Sequence, residues 1–138
     1  MSNGKNKVKA DDISTFPKPE TPQQQMAFKI VELSQRAVEL AQCELRAAPS
    51  EQSVKWRTEI LDAAKNALAA AANLYSAQCN YFLHMPAPGG CYDGNMGATV
   101  AATQKLRDIF SGPFVDRTYH YAWLMACKYV ATYGGSVP

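Results

Sequence analysis

Ionic side chains are nearly missing from the middle of this chain: between Lys65 and Lys105 only Asp93 is charged, whereas the first 65 residues carry nineteen charges. Charged residues are rarely fully buried without a partner, so a stretch that omits them sees little water or faces another protein. A membrane span is excluded for it, because Asn66, Asn73, Ser76, Gln78 and Asn80 interrupt the apolar residues. An excess of one sign is lacking too. A net charge of +2 over 138 residues gives no field that would hold nucleic acid or an anionic membrane by itself. Ser2, Asn3, Gly4 and Lys5 follow Met1 with no apolar run behind them, so no secretory or transit segment is expected and the expected location is the cytoplasm. Alternating apolar periodicity and internal repeats are absent, which excludes a strand-rich or solenoid fold. The chain has no Walker loop, dinucleotide fingerprint or acidic metal cluster, so familiar nucleotide chemistry has no support and no cofactor is implied.

What is present reads as helix. Residues 1–20 hold Lys5, Lys7, Lys9, Asp11, Asp12, Lys18 and Glu20 with Pro17 and Pro19, and few apolar side chains, so they are expected to form a flexible arm. Residues 21–138 are expected to form one helical domain, a core of that size needing no metal or disulfide. Thr21, Pro22 and Gln24 form a helix start by capping box and N-terminal proline. Met26, Ile30, Leu33, Ala37 and Leu40 then step by threes and fours to about residue 47, with Glu32 and Arg36 spaced to pair. Pro49 breaks this helix and Ser50 with Glu51 opens a second, long one. Its expected apolar side is Trp56, Ile60, Ala64, Ala67, Ala71, Leu74, Tyr75 and Phe82, and its alanine-rich second half allows backbones to approach closely. Pro86, Pro88, Gly89, Gly90 and Gly94 predict a structured turn over 85–95. A third helix over about 96–111 carries Val100, Thr103, Leu106 and Phe110 on one side and ends at Gly112 and Pro113. Asp116 can cap a fourth, running to about Tyr133, with His120, Trp123, Cys127 and Val130 as its expected inward stripe. The fold class is therefore all-α, an antiparallel bundle of about four helices, with the long second helix allowed to project past its neighbours.

Chemistry-bearing residues are sparse. Cys43, Cys79, Cys91 and Cys127 are even in number, but three lie in helical segments, which favours buried free thiols over disulfides. Cys79, His84 and Cys91, and His120 with Cys127, lack the short paired spacing that bends around zinc, so no metal site is expected. Cys91 follows Gly89 and Gly90 in a loop where His84 or His120 can activate a thiolate, but glycines there are needed for the turn in any case. His120, between Tyr119 and Tyr121, reads as a structural histidine.

Tyrosine, tryptophan and methionine are enriched in the cores of protein interfaces and lysine and glutamate depleted, a profile that residues 74–92 and 119–133 share. The expected function is a non-enzymatic helical protein that binds other proteins, first of all copies of itself, as a structural subunit or as an adaptor or inhibitor of a larger complex. Its expected interface residues are Leu74, Tyr75, Tyr81, Phe82, Tyr92, Tyr121, Met125 and Tyr129. The alternative is a binder of a small molecule or nucleic acid, using residues 84–95 and the aromatic fourth helix, with Lys5, Lys7 and Lys9 as phosphate contacts. An enzyme built on Cys91 ranks third. Small size, an arm and few catalytic groups also suit a viral or mobile-element product, by association alone.

Overall fold

The structure is a computed structural model that describes residues 16–79, 86–87, 90–91, 96–109 and 117–133. It is all-α: α1 spans Pro22–Arg46, α2 Glu51–Gln78, α3 Met96–Ile109 and α4 Arg117–Tyr133. Between α2 and α3, β1 (Pro86–Ala87) and β2 (Gly90–Cys91) pair antiparallel, with Pro86 opposite Cys91 and Ala87 opposite Gly90. This two-residue ladder lies in the stretch where a turn is expected; the rest of that stretch is outside the described residues. No helix among the described residues is long and apolar enough to cross a membrane.

The caps act where the residue types place them. Thr21 Oγ1 accepts the Gln24 N–H at 3.0 Å, and Gln24 Oε1 accepts the N–H groups of Thr21 and Glu20 at 3.2 and 2.8 Å. The same amide donates from Nε2 to the Gln78 carbonyl at 3.3 Å, so one side chain serves the start of α1 and the end of α2. At the other ends, Arg57 donates from Nη1 to the Glu44 carbonyl, tying the start of α2 to the end of α1. Ser50 caps α2 by accepting the Ser53 N–H at 3.2 Å. Glu32, expected to pair with Arg36, instead meets Lys29 at 3.9 Å.

Helix lengths decide what is covered. At 28 residues α2 is about 42 Å long, whereas the 14 residues of α3 make about 21 Å, so α3 can flank only half of it. It meets the uncharged half at Ala70 and reaches back beside Glu59 and Asp62 through Lys105. Every residue from Ala67 to Ser76 is buried, on all sides of the helix. Four structures do the covering: α1, α3, the β1 segment and the stretch that precedes α1. Phe16, within the segment expected to be an arm, is 7% exposed, and its ring stacks on Tyr75 at 6.3 Å between centroids. The Tyr75 hydroxyl donates to the Pro17 carbonyl, and Phe28 of α1 closes over the same ring at 5.0 Å. The alanines explain the close approach: with no bulk at Ala70, the Thr99 hydroxyl of α3 reaches its main-chain carbonyl at 3.3 Å. Thr103, one turn on, satisfies itself on the Thr99 and Val100 carbonyls at 2.9 and 3.1 Å.

Ile30, Ala37, Ile60, Ala64, Ala67, Ala71, Leu74, Tyr75 and Thr103 are buried as expected, but elsewhere on α1 and on α4 the inward face lies about one position from the expected one. In α1 the inward set is Ala27, Ile30, Val31, Ser34, Ala37, Val38 and Ala41, with Met26, Leu33 and Leu40 at the margin. In α4 it is Tyr119, Ala122, Ala126 and Tyr129, while His120, Trp123, Cys127 and Val130 are only partly covered. Small residues line the inner faces because the helices lie close together, and the larger neighbours are displaced to the edges. In α3 Thr99, Ala102 and Thr103 face inward and Val100 lies at the margin.

Candidate functional site

Once α4 turns Tyr119, Ala122, Ala126 and Tyr129 inward, the helical period leaves Tyr121, Leu124 and Lys128 on the outside, three and four residues apart. Tyr121 is 47% and Leu124 41% exposed. Beside them α1 contributes Lys29 and Leu33, also one turn apart, and Met125 closes the floor. The result is a groove of about 390 Å³ between α1 and α4, apolar at its base and with an ammonium group from each helix. Two hydrogen bonds fix how the helices flank it. Gln23 Nε2 donates to the Tyr129 hydroxyl at 2.9 Å, and the Tyr119 hydroxyl donates to Glu44 Oε1 at 3.3 Å. Burial pushes the Tyr129 phenol above its ordinary value, and the Gln23 amide opposes this by favouring the phenolate. From Arg117 to Tyr133, α4 holds no aspartate or glutamate, so nothing on that helix offsets Lys128.

The residues expected at an interface divide sharply. Tyr121 and Met125 line the groove. Leu74, Tyr75 and Tyr129 are buried in the chain's own core and have no surface to give a partner. The reason is the enclosure of α2: its uncharged half is shielded by segments of the same chain, a shield that composition alone assigns to other subunits. Tyr81, Phe82 and Tyr92 lie outside the described residues, as do Lys5, Lys7, Lys9 and His84. The described part of α2 ends at Gln78. Trp56, expected on its apolar side, is only half covered. It stands one turn before buried Ile60 on the same stripe and is 49% exposed. Val54, in the same projecting turns, is 43% exposed.

Leu33, Leu124, Lys29 and Lys128 are not among the site residues expected from the sequence. The set Tyr121, Leu124, Lys128 at helical spacing, on a helix without acids, is the signal that marks them. His120 is half-buried at the edge of α4, its ring 5.7 Å from that of Trp123 and 6.4 Å from that of Tyr121, and is not a core residue. The groove takes in Tyr121 but neither His120 nor Trp123.

The remaining chemistry is thin. Cys43, Cys79 and Cys127 are free thiols, and Cys43 is exposed, not buried, with Arg46 Nη2 3.4 Å from its sulfur. The Cys91 backbone lies in β2. Among the described residues no three His, Cys, Asp or Glu side chains are grouped so as to hold a metal ion. A second cleft of about 420 Å³ lies between α2 and α3, lined by Glu59, Asp62, Ala63, Asn66 and Lys105. Comparison with protein-family models, with curated proteins and with solved structures finds no match for the chain.

Proposed function

We propose that this is a non-enzymatic helical protein that works by binding protein, a second copy of itself before any other, with the α1/α4 groove as the receiving surface. The observation that carries this reading is the pair Tyr121 and Leu124, nearly half exposed on a helix whose opposite side is fully packed. Large apolar side chains grouped over a groove lose favourable free energy in water and regain it under a partner. Tyr121, Leu124 and Met125 at helical spacing over Leu33 give the groove the form that receives an apolar side chain or helix face. The proposed arrangement of the body is an antiparallel four-helix bundle. It is supported by the hydrogen bonds that join the start of α1 to the ends of α2 and α4, and the end of α1 to their starts.

A second reading is supported by the acid-free character of α4: the same face, with Tyr121 between Lys29 and Lys128, meets a nucleic acid by stacking and phosphate contact. The aliphatic floor of Leu33, Leu124 and Met125 favours protein. Light scattering of the wild-type chain over a dilution series tests the first reading, which expects a mass that rises with concentration and a Leu124→Glu variant that stays monomeric. A wild-type chain that is monomeric throughout, or a Leu124→Glu chain with undiminished mass, overturns it.

A further inference from the structure

The surface of the second copy that fills the groove is indicated by where the other exposed apolar side chains lie, an inference that rests on the self-association proposed above. Among the described residues four large apolar side chains stand exposed: Tyr121 and Leu124 on α4, Val54 and Trp56 on α2. The helices α2 and α4 each pack against α1 and α3, so the two pairs look out from different sides of the molecule.

Their surroundings are of opposite sign. Next to Trp56 on the helix surface are Gln52, four residues before it, and Glu59, three after it, both exposed. Glu51, Lys55 and Asp62 occupy the adjoining face, while Arg57 is turned to α1 by its bond to the Glu44 carbonyl. Three carboxylates thus stand against one ammonium around Trp56. Lys105 of α3 adds one further cation at the far end of that face, in the cleft with Glu59 and Asp62. The α1/α4 groove has the reverse balance: Lys29 and Lys128 line it, and Glu32 lies 3.9 Å from Lys29.

We infer that the start of α2 in one copy docks into the α1/α4 groove of the next, with Trp56 as the anchor over Leu33, Tyr121 and Leu124, and Glu59 and Asp62 facing Lys29 and Lys128. Tryptophan is among the residues that dominate interface energies when desolvated in a pocket, and complementary rim charges set the register. A contact of groove on groove would set the two lysines against their own copies. The groove and the start of α2 are different patches, so the contact is heterologous: each copy retains an unused groove at one side and an unused Trp56 at the other, and association continues into a ring or a filament.

A mixing experiment tests this. Trp56→Glu removes the anchor and Leu124→Glu the groove, both at exposed positions, with circular dichroism reporting the fold. Each variant alone is expected at monomer mass in analytical ultracentrifugation. An equimolar mixture is expected to form a species of two chains and no larger, because one intact groove meets one intact Trp56. A charge-reversed pair, Lys128→Glu and Glu59→Lys, keeps the test decisive should either apolar variant misfold. Each is expected to associate several-fold more weakly alone and to recover in the mixture, here to full oligomers. If the wild-type chain associates but Trp56→Glu leaves its mass unchanged, or no mixture recovers, the α2-in-groove contact is overturned while self-association through the groove stands. If the wild-type chain never associates, both fail.

Discussion

Tyr75 shows what a single side chain does for this fold. With Tyr119 it is the largest fully buried side chain among the described residues, its ring held between Phe16 and Phe28 and its hydroxyl donating to the Pro17 carbonyl. Burial, before any other cause, pushes its phenol well above the ordinary value of 10, and burial shifts Tyr129 the same way. A raised tyrosine pKa means that the folded state holds the neutral form. Below about pH 10 both folded and unfolded chains carry a neutral phenol, and the contribution to stability is complete. Above that the unfolded chain ionises while the folded one resists, so stability falls as pH rises. Urea denaturation across the alkaline range is expected to show this loss for the wild-type chain and a shallower one for Tyr75→Phe. At neutral pH Tyr75→Phe should also be less stable by about 1 kcal/mol, the usual net worth of such a hydrogen bond. An alkaline slope identical in the two proteins would mean that another group carries the dependence.

At the scale of the helix, α2 depends on side chains that are small. Ala67, Ala69, Ala70, Ala71 and Ala72 allow α1 and α3 to approach until a threonine hydroxyl bonds to the α2 backbone. Ala70→Leu adds bulk at that crossing and is expected to lower stability by about 1 to 3 kcal/mol in chemical denaturation, whereas the same change at exposed Ala77 should have little effect. These alanines also mark how far the fold is legible in the sequence. Helix ends are legible because their determinants are local: Thr21 with Gln24, and Pro49 with Ser50, act on the backbone beside them. Helix faces are less so. Hydrophobic periodicity weights bulk, and it places Leu33, His120 and Trp123 inward where the packed positions belong to Ser34, Ala122 and Ala126. The groove inherits that error, because Leu33 and Leu124 are outward for the same reason, while Tyr121 and Met125 are legible from their type. The run without charge is enclosed, as its composition implies, but periodicity says nothing of what encloses it, and Phe16 lies in a segment too polar to be counted as core.

Across the whole molecule these features produce a gradient along α2. Its first nine residues, 51–59, are exposed or half-exposed on every side, and its residues 67–76 are buried on every side. Opening of the first part disturbs few apolar contacts. Opening of the second strips Tyr75, Leu68 and the alanines from α1 and α3 together, which amounts to unfolding the core. Amide hydrogen exchange is therefore expected to be fast over 51–59 and to approach the global unfolding limit over 67–76, within one continuous helix. The contrast gives the proposed docking of α2 a readout separate from mass. If the start of α2 enters the groove of another copy, exchange at 51–59 slows as concentration rises, and in the Leu124→Glu chain it does not. The buried half serves as the internal control, since its protection already comes from its own chain. Equal protection along the whole helix in dilute solution would contradict the exposure of Val54 and Trp56. Concentration-independent exchange at 51–59 in a chain that nevertheless associates would place the contact on another surface.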